Sequence, residues 1–367
     1  AQKFGMTLVA AASLDAVDTR GTPTLLLMDH TFLTARLVRF LLKEVRSRRE
    51  PGRVALPASR FVELYSQHQG VARLADGGAA YDAWWFPDGV SAPSPAALNG
   101  VTPVVVPFKE KILSMPVPPN IMGRPDFPHP LTTTIALHVK HWVHVLWLGN
   151  LWPQIVMVEA ITSRPLVTAW RLLKSIRLSR SATQWALAQN FRQLGRNVDI
   201  HPTARVELSV LGDGVKVGPY ALVKGSVLGK NVHVEERANV CFSTLGDGCF
   251  VSKNSTVVSC VGFPGADLCI NGMQFCVAGR GSALTSWVRP MDMKYRADVT
   301  VRMDGATVAI RELMVGSCFG HQCFVGPDVL IAPGREIPNG AIIAPPPGAV
   351  LGRVDAGALQ GGPSVVE

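Results

Sequence analysis

His138, His141 and His144 stand three residues apart, a spacing that on a helix sets each ring about one turn from the next. Adjacent pairs could share a metal ion. All three fan across too wide an arc for one tetrahedral ion, and no nearby acid or cysteine completes a site. A second candidate is Asp29, which ends the apolar run TLLLM. Ligands of open α/β sheets bind at the C-terminal ends of strands, so Asp29 stands where a functional carboxylate would. Three further histidines, His201, His233 and His321, lie in the C-terminal half, where Asn271, Gln274, Asp292, Lys294 and Arg296 could orient a substrate. All seven cysteines fall between Cys241 and Cys323, with none of the C-x-x-C spacings of zinc or redox sites. They read as reduced core fillers, which suits a cytoplasmic protein.

The elements that must carry these residues divide sharply. From Val210, Val227 and Thr244 a nine-residue pattern, VLGDGVKVG, VLGKNVHVE and TLGDGCFVS, returns every 17 residues. Such a period marks a solenoid whose coils bury their apolar residues only by stacking. Within a repeat the aliphatic positions step by about six, as in Leu211 and Val217, and Phe319, Val325, Ile331 and Ile337 resume the step later. Three short parallel strands per turn are expected, with glycine at the corners where a Cβ would be costly. The period fails over residues 262–313. Within that stretch DVTVRMDGATVAI alternates around Asp304 and Gly305, which predicts a β-hairpin. Insertions in solenoids often form the binding surface, though a loop covering a flank or a neighbouring subunit fits equally.

Ahead of the solenoid, Thr24 to Val45 reads as a strand, then Asp29, then a helix with Thr34 as N-cap and Val38, Leu41, Leu42 and Val45 on one face. RVALPAS from Arg53 is the next strand, and MTLVAAAS near the start reads as a buried one. The chain begins on Ala1 rather than methionine, consistent with a processed or trimmed end. His141 to Val158 holds no Lys, Arg, Asp or Glu but carries Trp142, Trp147 and Trp152. Then the balance flips, with Arg164, Arg171, Lys174, Arg177, Arg180, Arg192 and Arg196 unaccompanied by acid. A Trp-rich run followed by a basic helix with Leu166, Trp170 and Leu173 on one side has the form of an interfacial membrane element. Gly149, Asn150 and Pro153 argue against a straight spanning helix. The alternative is two helices packed between domains or across a subunit interface.

The repeat resembles the hexapeptide-repeat, left-handed β-helix superfamily, over about Val198 to Val354. That resemblance implies a left-handed prism, frequent assembly as homotrimers, and members that include acyltransferases. It also implies a base: such acyltransferases use a histidine beside the groove between prisms, which here points to His321 with acyl-coenzyme A as donor. No coil holds the closely spaced histidines of the γ-type carbonic anhydrases. The N-terminal segment resembles sugar-phosphate nucleotidyltransferases, on which Asp29 would hold Mg²⁺ against a triphosphate. Met28 stands where that family has glycine, and its glycine-rich phosphate loop is absent.

The reading is therefore a reduced nucleotidyltransferase-like α/β domain over residues 1–128, a helical joint at 129–197, a left-handed parallel β-helix at 198–354 with its insertion, and a tail at 355–367. With 367 residues and 47% hydrophobic content the chain can bury two cores. A net charge of +9 favours an anionic partner. A sugar-phosphate or an anionic membrane surface fits, but no nucleic-acid module is present, since the basic helix lacks a helix-turn-helix partner or an aromatic platform. Two functions remain. One is acyl transfer to a sugar-like acceptor, and the other is a non-catalytic scaffold, peripheral to a membrane.

Overall fold

The computed structural model describes residues 4–45, 48–117, 119–123, 125–163, 165–179, 191–295, 297–311 and 314–346. Two compact units divide the chain. The first holds Ala1–Ser163 with Tyr295–Asp298 and Val308–Leu313, and the second holds Arg164–Lys294, Val299–Thr307 and Met314–Glu367. The two helices expected to form one joint thus fall in different units.

In the first unit, β1 (Thr24–Leu27), β2 (Thr31–Leu33) and α1 (Ala35–Val45) follow one another, then β3 (Gly52–Leu56), α2 (Arg60–Tyr65), β4 (Ala72–Arg73) and β5 (Ala79–Phe86). After them come α3 (Pro95–Asn99), β6 (Pro103–Val105), β7 (Lys111–Pro116), α4 (Pro119–Met122), β8 (Asp126–Leu131), β9 (Ala136–His138) and α5 (Trp142–Ser163). The main sheet runs β1-β5-β3-β6, with β4 on β5. It is mixed, because β5 lies antiparallel to both β1 and β3 while β6 is parallel to β3. Thr34 caps α1 as expected, its Oγ1 accepting the Leu37 N–H at 3.4 Å, and Leu37, Val38, Leu41 and Val45 are buried. The strand expected at MTLVAAAS does not form. Leu8 and Val9 are exposed there, since that short run has no sheet partner.

Helix α5 is long and apolar enough to cross a membrane by length and composition. Val143, Leu146, Trp147, Leu151 and Ile155, spaced by three and four, are buried within the protein. Trp147 packs edge-on to Tyr65, and Trp152 to Phe32. One face of α5 therefore packs into the core of its unit.

The second unit opens with α6 (Pro165–Ser179) and continues as a parallel β-solenoid of about nine turns. Its strands stack into two eight-stranded sheets and one five-stranded sheet. Val210 pairs in register with Val227, Val227 with Thr244, and Thr244 with Val261, so the 17-residue period is the coil itself. Leu211, Leu228 and Leu245 from one sheet and Val217, Val234 and Val251 from the next fill the interior.

Coiling continues further into residues 262–313 than the lost period suggested. Val261 pairs with Val277 and Asp267 with Ala283, a shortened step of 16 that hides the repeat from a fixed-period search. The real excursion follows Pro290, since Val277 next pairs with Cys318, 41 residues on. It carries the expected hairpin, Val299–Met303 against Ala306–Ile310, turned by Asp304 and Gly305 at φ 49° and 82°.

The glycines serve two different ends. A Cβ on Gly212 would lie 2.7 Å from the Gly229 carbonyl carbon, and one on Gly229 would lie 2.6 Å from the Asp247 nitrogen. Glycine after each leucine therefore lets coils approach. Left-handed corners are separate positions, and many carry side chains: Tyr220, Arg237, Asn254 and Trp287 at one corner, Leu208, Phe242, Ser259 and Phe275 at another.

Candidate functional site

Among the described residues, polar side chains converge at two places that bear on function. In the first unit, Asp82 sits midway along β5, in the otherwise apolar AAYDAWWF. The turn from β1 to β2 is anchored to its backbone: the Met28 N–H donates to the Asp82 carbonyl at 3.1 Å, and Thr31 Oγ1 to the same oxygen at 3.1 Å. That turn carries His30, whose Nε2 lies 3.0 Å from Asp82 Oδ2. Strand β9 pairs with β2 so that His138 faces Thr31, and His138 Nε2 stands 3.7 Å from Asp82 Oδ2. From β3, the buried Arg53 donates to Asp82 Oδ1 at 2.7 Å and to the Tyr81 carbonyl at 2.9 Å.

The protonation of this group follows from its contacts. His138 Nδ1 lies 3.0 Å from the Gln69 carbonyl, which can only accept, so Nδ1 carries the proton. Its Nε2 is then a lone pair, and it accepts the Asp82 N–H at 2.8 Å. Burial drives His138 down to about 4, so the ring is neutral. Burial alone would raise the Asp82 carboxyl, but His138, His30 and Arg53 together outweigh it and hold it below its ordinary value. Asp82 is therefore a carboxylate.

Of the three-histidine run, the structure brings only His138 into this group. His144 Nδ1 accepts the Lys140 N–H at 3.2 Å, and His141 Nδ1 accepts the Val143 N–H at 3.3 Å. Asp29 stands in the turn after β1, fully exposed, with Oδ1 3.4 Å from His30 Nδ1. Its neighbour is thus a histidine rather than a second carboxylate. The acid missing near His138 is Asp82, 56 residues away. Sequence reasoning missed it, and the signals that could have found it were a single acid inside one apolar strand and a single arginine inside GRVAL.

The second place is the solenoid. The Asp213 side chain accepts the Arg196 N–H of the preceding coil at 2.7 Å, Asp247 that of Lys230 at 2.7 Å, and Asn339 that of His321 at 2.7 Å. His321 belongs to the same column: its Nδ1 accepts the Arg280 N–H at 2.8 Å, and its ring meets Phe263 edge-on. A neutral ring that accepts at Nδ1 carries its proton on Nε2, so His321 presents an exposed donor. His201 bonds Thr203 within its own turn, and His233 lies 3.5 Å from Glu235.

The other expected residues are dispersed. Asn271 Oδ1 accepts the Trp287 N–H at 3.2 Å at a different corner from His321. Gln274 is exposed on its own strand. Lys294 Nζ donates to Thr300 Oγ1 at 3.1 Å, and burial raises the Asp292 carboxyl. Arg296 lies outside the described residues. None of the described four bonds His321. The seven cysteines are unpaired, and burial lifts Cys249 to about 11 and Cys318 to about 12, so these thiols are structural.

No family model and no curated protein matches this chain. Solved structures that match include LpxA, a UDP-N-acetylglucosamine acyltransferase from Bacteroides fragilis, at 14% identity over 42% of this chain and 68% of that one, with a TM-score of 0.21. Another is the polysialic acid O-acetyltransferase OatWY, at 18% identity over 42% of this chain and 75% of that one, with a TM-score of 0.17. At these scores neither carries weight for function, and the solenoid stands on its own strand pairing.

Proposed function

We propose that the solenoid unit transfers an acyl group from an acyl-thioester to a hydroxyl or amine of a sugar-like acceptor, with His321 at the reacting site. One observation carries this reading. Elsewhere in its column Asp213, Asp247 and Asn339 supply the bond between coils, whereas His321 supplies it with one nitrogen and keeps an exposed N–H besides. In this tautomer the ring stabilises the developing oxyanion as a donor. To act as the base instead, it must first release the Arg280 N–H.

His321→Asn separates the two duties of the ring, because asparagine already makes the bond between coils at Asn339. Turnover of acyl-coenzyme A across a panel of sugar and sugar-phosphate acceptors should fall by about 100-fold or more, the loss typical of one oxyanion donor. His321→Gln, whose amide N–H reaches one methylene further towards the position of the ring Nε2, should retain more activity than Asn. Equal rates in wild type and His321→Asn would remove His321 from the mechanism.

Assembly as a homotrimer of left-handed prisms belongs to the same proposal. Exposed Tyr220, Phe242 and Trp287 at the corners support it as surfaces for a second copy. The cytoplasmic placement rests on the seven unpaired cysteines.

A second reading, the membrane-peripheral scaffold, is favoured by α6. Leu166, Trp170 and Leu173 are 85%, 59% and 68% exposed at spacings of four and three, on a segment whose only charges are basic. Sedimentation with liposomes tests it: binding should rise with anionic lipid, weaken with salt, and fall when Arg171, Lys174 and Arg177 are changed together to glutamate. Protein that stays in the supernatant at low salt with fully anionic liposomes overturns this reading. Absence of acyl turnover with intact liposome binding leaves the scaffold as the function.

A further inference from the structure

We propose that His30, Asp82 and His138 form a binding site for one divalent transition metal of the zinc class. Each offers one ligand atom, and the three atoms lie within 4.8 Å of one another. Two neutral imidazoles and one carboxylate are a donor set that zinc, cobalt or nickel takes readily and that magnesium or calcium does not.

The outer contact of His138 is that of a metal-bound histidine, in which the distal nitrogen donates to a carbonyl or carboxylate, and His30 has a carboxylate close to its distal nitrogen. His138 Nδ1 donates to the Gln69 carbonyl at 3.0 Å, which fixes the ring and turns Nε2 inward as a lone pair. His30 Nδ1 lies 3.4 Å from Asp29 Oδ1, and its Nε2 points at Asp82. The exposed Asp29 thus acquires a role through His30. Arg53 occupies Asp82 Oδ1 and leaves Oδ2, the oxygen that both histidines face.

Two contacts must give way when the ion enters. The proton between His30 Nε2 and Asp82 Oδ2 moves to Nδ1 of the same ring, where Asp29 accepts it, so a neutral ring binds without net loss of a proton. His138 Nε2 exchanges the Asp82 N–H for the metal. Arg53, as a nearby cation, lowers the affinity and disfavours hard ions that depend on charge alone.

The full-length, untagged protein, stripped with chelator, is titrated with Co²⁺ and followed by its visible absorption. One equivalent should bind, be displaced by Zn²⁺, and be unaffected by excess Mg²⁺. His30→Ala, at a surface turn, should weaken binding by more than about 100-fold, and Asp29→Asn by about 10-fold, because it only orients His30. His141→Ala should bind as wild type. Circular dichroism reports folding of each variant, and Asp29→Asn keeps the test decisive should His30→Ala misfold, since its side chain is fully exposed. Absence of stoichiometric Co²⁺ binding, binding unchanged in both His30→Ala and Asp29→Asn, or binding lost in His141→Ala would each overturn the assignment.

Discussion

The two units bury polar groups in opposite ways. Inside the solenoid, apart from Glu207, which pairs with Arg205 at 2.9 Å, the buried polar side chains are small, neutral and repeated: Ser209 Oγ accepts the Ser226 N–H, Ser226 Oγ that of Ser243, and Ser243 Oγ that of Cys260, each at 3.1 Å. Cys276 continues the series, its Sγ accepting the Ser317 N–H at 3.3 Å. The α/β unit instead concentrates ionised groups at one point, where Arg53 and the Asp82 carboxylate meet beside two imidazoles. A ladder spreads the cost of burial over many identical bonds, whereas a knot makes each member depend on the rest. The two arrangements differ in what they offer chemically, because the knot presents ligand atoms within 4.8 Å of one another whereas the ladder spends its polar atoms on holding coils together.

The largest effect should come from breaking the knot. Arg53→Met leaves the Asp82 carboxylate half-buried without its cation, which should cost about 3–5 kcal/mol in urea unfolding of the metal-free protein. Replacing both partners, Arg53→Met with Asp82→Leu, should restore much of that loss. The exposed Arg196–Asp213 pair of the solenoid should show no comparable effect when Arg196 is removed. Equal losses at the two pairs would erase the contrast between the units.

Acid should likewise distinguish them. His144 is fully buried on α5, and burial, reinforced by His141, His68 and His138, lowers it from 6.5 to about 4. The unfolded ring binds a proton that the native ring refuses, so this stability is full above pH 6.5 and is lost as pH falls towards 4. The shift corresponds to at most about 3 kcal/mol. Urea midpoints followed by tryptophan fluorescence should therefore drop between pH 7.5 and pH 5, and His144→Gln should reduce that drop, leaving the share of His138, which burial also lowers to about 4. A midpoint independent of pH in wild type would show that the ring is not held neutral.

Backbone approach between coils is the next most sensitive feature. Gly229→Ala places a Cβ 2.6 Å from the Asp247 nitrogen, and backbone cannot swing aside, so about 3 kcal/mol should be lost. Gly272→Ala meets nothing within 4 Å and has no left-handed φ, so it should be neutral or stabilise by about 0.4–1 kcal/mol. Similar melting temperatures for the two variants would mean that the coils breathe apart more than their spacing implies.

How far these features were legible follows from the distance over which each is encoded. Leu211, Leu228 and Leu245 announce the solenoid because one coil of sequence is one coil of structure. The signal fails at Val261, where a step of 16 replaces 17, although the strands stack unchanged. Thr34 and the buried face of α1 were equally local and equally legible. His138 was visible as a histidine and not as part of a site, because its partners arrive on β5 and on the β1–β2 turn, and only strand pairing brings Asp82 and His30 to it. The run His138, His141 and His144 misdirects for a physical reason: α5 begins at Trp142, so His138 ends a strand and shares no helical face with the other two.

The smallest effect tests whether the ladder is as tolerant as its composition suggests. Ser226 Oγ donates to the Lys224 carbonyl at 2.9 Å and accepts the Ser243 N–H, so Ser226→Ala leaves one buried N–H without an acceptor. That should cost about 1–2 kcal/mol. Ser226→Cys should cost less, because sulfur already fills the role at Cys276, donating to the Gln274 carbonyl at 3.1 Å and accepting the next coil. Thiol and hydroxyl are interchangeable here only if the coils tolerate the longer bond to sulfur. Thermal unfolding of the two variants side by side measures that tolerance, and a cysteine variant less stable than the alanine one would show that the stack is tuned to serine in its first coils and to sulfur only near the excursion.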